Sequence, residues 1–218
     1  MLRLAHPPEK VWRALTEPEQ LVHWFPAAVE AEPFVGGGVA FAFPGEEPAT
    51  GGEVTEFDPP RVFAFTWEGD HLRWEVAPDG TGGSEGEGGS VLTLVHSFDD
   101  RYGAASFATG WSACVAGLAA LLSGEPVPEG DPDDMAATHE RYVREFALSE
   151  GVSSVLPGGG WQVRFERQLV RPAEVAWERL DPEVDAELFP LGGETAADPP
   201  VLLEREWLAG GGPGQPLA

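Results

Sequence analysis

With one cysteine and five histidines, this chain has few ways to hold a metal or run nucleophilic chemistry. His6, His23, His71 and His139 show no metal-ligand spacing, and without a His-x-x-x-His pair or a second cysteine a zinc site has no support. No serine sits in a nucleophile elbow ahead of an Asp and a His, and Gly36-Gly37-Gly38 lacks the Gly-x-Gly-x-x-Gly spacing and the lysine of a phosphate loop. Glu53, Glu56, Glu68, Arg73 and Glu75 are the acid and base candidates on strand-like segments, where most such side chains face solvent. His96 ends the run Leu-Thr-Leu-Val-His, within reach of a ligand's polar group, although a hydrogen-bonded core or rim histidine is the commoner outcome. Cys114 falls in an apolar helical stripe, where a thiol is normally inert packing. No catalytic residue, metal or cofactor is therefore expected.

These residues need elements to position them. Pro7 and Pro8 suit a first helical turn, Glu9 complements the positive end of the dipole, and Val11, Trp12 and Leu15 recur at helical spacing. Pro18 stops or bends that run, and Leu21, Trp24 and Phe25 follow as a short apolar plug. Six strands are predicted next: 29–34, 38–43, 51–57, 61–67, 72–76 and 91–96, with Leu2–Ala5 as the end of an opening one. Leu72–Val76 alternates strictly and is expected to be half exposed. Residues 80–89 form a Gly- and Glu-rich loop. The period then changes: Phe107, Trp111, Cys114, Val115, Leu118, Leu121 and Leu122 mark one face of a long helix ending near Gly124, and its other face is Ala, Ser and Gly. A helix closing a run of antiparallel strands must bury that stripe against the sheet. A Pro- and Asp-rich connector leads to one more helix, 135–148, with Tyr142, Val143 and Phe146 on its apolar side, and Gly158–Gly160 is a hinge.

A formal net charge of −24 excludes the basic footprint that phosphate backbones require, so no nucleic-acid partner is expected. The acidic excess is shared between residues 1–124 and 125–218, where it commonly serves solubility and self-repulsion, the alternative being an acidic surface for a basic partner. No run of about 18 apolar residues is present, so no membrane span is expected, and nothing resembles a secretion signal. A single cysteine is consistent with a reducing cytoplasm. Lys10 as the one lysine, no asparagine and abundant Ala, Gly, Pro and Arg point to a G+C-rich bacterial coding sequence.

The stretch His6–Pro26 also has an echo. Pro172–Leu180 matches Pro7–Leu15 at proline, glutamate, tryptophan and leucine; Phe189-Pro190 repeats Phe25-Pro26; and Asp198-Pro199-Pro200 with Trp207 repeats Asp58-Pro59-Pro60 with Trp67. Residues 161–169 alternate apolar and polar as an opening strand would. The later copy lacks roughly 24 residues, about a β-hairpin in length. The expected organisation is a domain at 1–124, a linker with one helix at 125–160, a partial and degenerate second copy at 161–209, and a disordered tail at 210–218.

The phrases HPPEKVWRALTEPEQLVHWF, GGGVAF, GEVTEFDPPRVFAFTW and GWSACVAGLAALL, in that order, resemble the activator-of-Hsp90-ATPase homologue type of the START/Bet v1-like (SRPBCC) superfamily in its bacterial form, over residues 2–124. That resemblance implies an α+β helix-grip fold: a curved antiparallel sheet around a long C-terminal helix, with an apolar cavity between them. It implies a small hydrophobic molecule as partner, with Trp24, Phe41, Phe43, Phe65, Trp67, Trp74, His96 and Trp111 as candidate lining, although most aromatic side chains at such positions simply fill the core. The alternatives it carries are an aromatase/cyclase-like enzyme acting on a polyketide-type substrate and a co-chaperone of an Hsp90-type ATPase. A homodimer through the partial repeat is a further expectation.

Overall fold

The computed structural model describes residues 1–45, 47–80, 88–168 and 175, together with the backbone of two strands, Leu191–Asp198 and Leu202–Trp207. The chain divides into two units, Met1–Glu166 and Arg167–Ala218.

In the first unit, seven strands form one antiparallel sheet: β1 (Leu2–Leu4), β2 (Ala28–Ala31), β3 (Gly38–Ala42), β4 (Ala49–Asp58), β5 (Val62–Trp67), β6 (Asp70–Pro78) and β7 (Ser90–Ser97). Their order is β1-β7-β6-β5-β4-β3-β2, so the chain meanders from β2 to β7 and its opening strand pairs beside the last. Register shifts between Val39 and Phe41 and between Val54 and Glu56 mark irregularities of the kind that bend a strand and curve a sheet. β5 turns into β6 through Glu68 and Gly69, whose φ values of 51° and 95° fit a type I′ turn, and this makes Trp67 and Asp70 directly opposed partners.

Two short helices, α1 (Pro8–Thr16) and α2 (Pro18–Leu21), connect β1 to β2. Pro8 lies in the first turn of α1, and Pro18 disfavours helical backbone at Glu17, which ends it. Val11, Ala14 and Leu15 point into the core, and the Trp24 indole N–H donates to the Ala14 carbonyl at 2.9 Å, fixing the plug to the helix.

The long helix α3 (Ala104–Ser123) ends at Gly124, whose φ of 73° suits the left-handed cap. Leu118 and Leu122 are buried with Phe41, Phe65, Leu72, Trp74 and Leu92 in a single core. Among the described residues α3 is the one helix long and apolar enough, by length and composition, to cross a membrane. This corrects the expectation that no segment meets that test: its Ala, Gly and Ser break up an apolar run without lowering the mean hydropathy much. Here α3 lies on the sheet.

The helix is not solitary. α4 (Pro132–Glu145), capped by the Asp131 carboxylate on the backbone N–H groups of Asp133 and Asp134, packs on its small-residue side, where Ala105, Val143 and Leu148 form a second cluster. Tyr142 hydroxyl and Ser112 Oγ lie 2.7 Å apart across this contact. His139 is buried in α4 with no hydrogen-bond partner for either ring nitrogen among the described residues.

β6 shows where the expectation of half exposure applies. Leu72, Trp74 and Val76 are buried, whereas Arg73 on the opposite face pairs with Glu56 and Glu75. After α4, β8 (Val152–Val155) and β9 (Trp161–Arg164) pair as a hairpin, so the segment expected to open a second copy is here the return strand of Val152–Val155.

In the second unit, β10 (Leu191–Asp198) and β11 (Leu202–Trp207) also pair as a hairpin. β10 ends at Asp198 and β11 at Trp207, as β4 ends at Asp58 and β5 at Trp67. The helical match at 172–180 and the tail at 210–218 lie outside the described residues, save for Val175.

Candidate functional site

Inward and outward positions alternate along each strand, so the inner face of the sheet can be read off in steps of two. On β5 it carries Phe63, Phe65 and Trp67; on β6, Asp70, Leu72, Trp74 and Val76; on β7, Leu92, Leu94 and His96. Phe63, Phe65, Leu72, Trp74, Val76 and Leu92 are buried in the core that Leu118 and Leu122 of α3 share. At the end of the sheet where β5 turns into β6, the inner residues are instead Trp67, Asp70 and His96, and a cavity of about 290 Å³ opens against the first half of α3.

Phe25 and Pro26 from the plug, Phe43, Trp67, Glu68, Asp70 and His96 from the sheet side, and Ser106, Phe107, Gly110, Trp111 and Cys114 from α3 line it. Phe107, Trp111 and Cys114 belong to the apolar stripe of α3 and are only half-buried, because the sheet recedes from them here. Gly110 contributes room: a methyl in place of its hydrogen would meet nothing within 4 Å.

The aromatic walls are ordered by one another. Phe25 and Trp111 stack with centroids 6.1 Å apart; Trp67 stacks on Phe41 at 4.4 Å and on Phe43 at 5.7 Å. The Trp67 indole N–H is shielded from solvent and has no hydrogen-bond partner among the described residues.

The polar end is a chain of three side chains. Trp111 Nε1–H donates to His96 Nδ1 at 3.1 Å, and His96 Nε2 lies 3.0 Å from Asp70 Oδ2. An indole N–H can only donate, so Nδ1 accepts, the ring proton sits on Nε2, and Nε2–H donates to the carboxylate. Both ring nitrogens are thereby engaged. Cys114 borders the same space, and burial pushes its thiol up to about 11, which keeps it protonated and unreactive at neutral pH.

Of the eight candidate lining residues, the fold brings four to this cavity: Phe43, Trp67, His96 and Trp111. Trp24, Phe41 and Phe65 are core residues. Trp74 is in the core too and reaches the wall of a second cavity of about 510 Å³, between the sheet, α3 and α4, which shares His96 and Trp111 with the first. Among the acid and base candidates only Glu68 borders the first cavity. Glu56, Arg73 and Glu75 form an outward ion cluster, in which hydrogen bonds from Arg73 hold the Glu56 carboxyl below its usual range and hydrogen bonds from Glu56 and Glu75 raise the guanidinium's. Glu53 is exposed. Asp70 is not among the residues expected from the sequence, yet its signal is there: Asp-x-Leu-x-Trp-x-Val puts the aspartate in step with three buried positions.

Among the described residues no group of three or more His, Cys, Asp or Glu is placed to hold a metal ion.

A family model described as Activator of Hsp90 ATPase homolog 1-like protein matches residues 5–123, the span that builds α1, most of the sheet and α3. No curated protein matches the chain. Similar solved structures include a conserved protein of unknown function, EF2215, from Enterococcus faecalis, with TM-score 0.54, 19% identity, and coverage of 68% of this chain and 83% of that one. CalU16 from Micromonospora echinospora follows at 0.51, with 22% identity over 67% and 83%. A protein encoded by gene BPP1335 of Bordetella parapertussis gives 0.50, with 23% identity over 73% and 88%. At these identities the likeness is one of fold.

Proposed function

Because the chain belongs to the Activator of Hsp90 ATPase homolog 1-like family, we propose that its first unit is a non-catalytic binding protein enclosing one small hydrophobic molecule between the sheet and α3. The observation that carries this reading is the cavity of about 290 Å³ between Trp67 and Trp111. It lies just below the range of about 300–1,000 Å³ in which ligand pockets fall, which suits a flat molecule of one or two rings. His96 has both nitrogens engaged, so it offers no free base to a bound molecule.

Native mass spectrometry of the purified full chain tests this directly, with Gly110→Leu as the comparison. The leucine side chain fills the cavity from a helix position that tolerates it. Wild type is expected to retain or take up an apolar ligand and Gly110→Leu to lose it; equal uptake by both would place binding elsewhere.

One observation favours a second reading, an aromatase/cyclase-like enzyme. Asp70 and Glu68 put carboxylates on the cavity wall, as proton-transfer chemistry requires. Turnover of a polyketide-type substrate by wild type and its loss in Asp70→Asn would establish it; no turnover by wild type removes it.

The matched ends of the β4–β5 and β10–β11 hairpins support the proposal that residues 161–209 are a partial second copy. The same mass spectra report whether two chains associate, and a chain ending at Glu166 would show whether residues 167–209 are needed for it. A cytoplasmic location accords with the single unpaired cysteine.

A further inference from the structure

Resting on the cavity-binding reading, we propose that the ligand is an organic cation, an aromatic or arylalkyl amine, whose ammonium group is received by Asp70. Three independent features converge on this class.

The first is the charge of the lining. Its ionisable members are Glu68, Asp70, His96 and Cys114; no lysine or arginine borders the cavity. The sole hydrogen-bonding or ion-pair partner of the Asp70 side chain among the described residues is His96, which in the tautomer fixed by Trp111 is a neutral donor. The carboxylate's charge is thus stabilised by one hydrogen bond but balanced by no cation. Its side chain keeps 28% of its surface open, so an incoming ammonium group can reach it. A ligand carboxylate would meet Asp70 and Glu68 with nothing to offset the repulsion.

The second is the walls. Phe25, Phe43, Trp67, Phe107 and Trp111 present π systems around the same space. An aromatic face attracts a cation within about 6 Å of its centroid, most strongly when that face is tryptophan and the cation is partly desolvated. A neutral flat ligand would use the walls and waste the carboxylate; an aliphatic cation would use the carboxylate and little of the stacking surface. An arylalkyl amine uses both.

The third is the field of the whole molecule. A formal net charge of −24 raises the local concentration of cations and lowers that of anions at any opening of the surface.

The test uses three probes of one shape: naphthylmethylamine, naphthylmethanol and naphthoate, titrated into the full chain by calorimetry and by quenching of tryptophan fluorescence. The amine is expected to bind wild type at least about tenfold tighter than the alcohol, with naphthoate weakest. Asp70→Asn, an isosteric change, should bring the amine to the alcohol's affinity and leave the alcohol unchanged; Glu68→Gln should give a smaller loss, since Glu68 is exposed at the rim. Alcohol binding as tight as amine binding in wild type overturns the inference while leaving the cavity reading intact, and needs no variant to be folded. A preference for the amine that survives in the Asp70→Asn, Glu68→Gln double variant, folded by circular dichroism, also overturns it. If none of the three probes binds wild type, or if Gly110→Leu binds them equally well, the cavity reading itself fails.

Discussion

The Lys10 ammonium group donates to the carbonyl of Leu122 across 2.8 Å, joining the first helix to the last turn of α3, 112 residues later in the chain. The chain's one lysine thus lies at the negative end of the helix dipole, on a carbonyl the helix itself leaves unpaired.

Lys10→Met removes that charge while keeping most of the stem. It is expected to cost about 1–2 kcal/mol, read as a lower urea midpoint at unchanged slope, and Lys10→Arg should restore part of the loss. A midpoint unmoved by Lys10→Met would show that the contact contributes nothing.

The same ammonium lies 3.3 Å from His6 Nδ1. Burial, and after it the charge of Lys10, holds the His6 imidazole below its ordinary value of 6.5. Unfolding therefore takes up a proton between the lowered value and 6.5, and stability present at neutral pH is lost as the pH falls through that window. The difference in stability between wild type and His6→Gln, measured from pH 7 to pH 5, should shift against wild type on acidification. A difference that stays flat across the window would refute this.

His139 supplies the opposite sign. Both of its ring nitrogens are buried without a hydrogen bond among the described residues, and the Glu140 carboxylate comes no nearer to Nδ1 than 3.9 Å. Replacing both with hydrocarbon is expected to stabilise: His139→Leu should raise the unfolding free energy by about 1 kcal/mol. Most substitutions at a site 4% exposed destabilise, so even a neutral result would be informative, and a clear loss would mean that the contact with Glu140 outweighs the cost of burying the ring nitrogens.

Trp111→Phe keeps a ring in the wall but removes the N–H that His96 Nδ1 accepts. The expected cost is about 1–2 kcal/mol in thermal unfolding, and a double-mutant cycle with His96→Leu should recover a coupling of about 1 kcal/mol. Additivity of the two substitutions would contradict the hydrogen bond.

Cys114 offers a chemical probe of the cavity. A thiol raised to about 11 is about one-thousandth thiolate at pH 8, so iodoacetamide should label it far more slowly than a free cysteine, with the rate climbing as the pH approaches that value. Labelling at the free-cysteine rate at pH 8, followed by mass spectrometry, would contradict the burial on which this rests.

The order of elements was legible because it is carried by period: β5, β6 and β7 alternate in steps of two, α3 repeats in steps of about 3.6, and proline and glycine mark the corners. The cavity was legible only in part. Phe107, Trp111 and Cys114 share one helical face with Leu118 and Leu122, and nothing local separates those that meet the sheet from those that meet empty space. That depends on where a curved sheet parts from a straight helix. Asp70 is hidden by its type, since a charged residue on a strand is expected to face solvent, and only its parity with Leu72, Trp74 and Val76 assigns it inward. The docking of α4 on the Ala, Ser and Gly side of α3 is likewise tertiary, since a small-residue face records only that something approaches closely.

The two-residue corner at Glu68 and Gly69 leaves no slack between Trp67 and Asp70, which are locked as opposed partners at its base. Ring plate and acid are thereby spaced by covalent geometry, and under the proposed amine binding that spacing would set the span between a guest's aromatic body and its ammonium group. A longer corner would change this span alone, with every strand pairing elsewhere left in place.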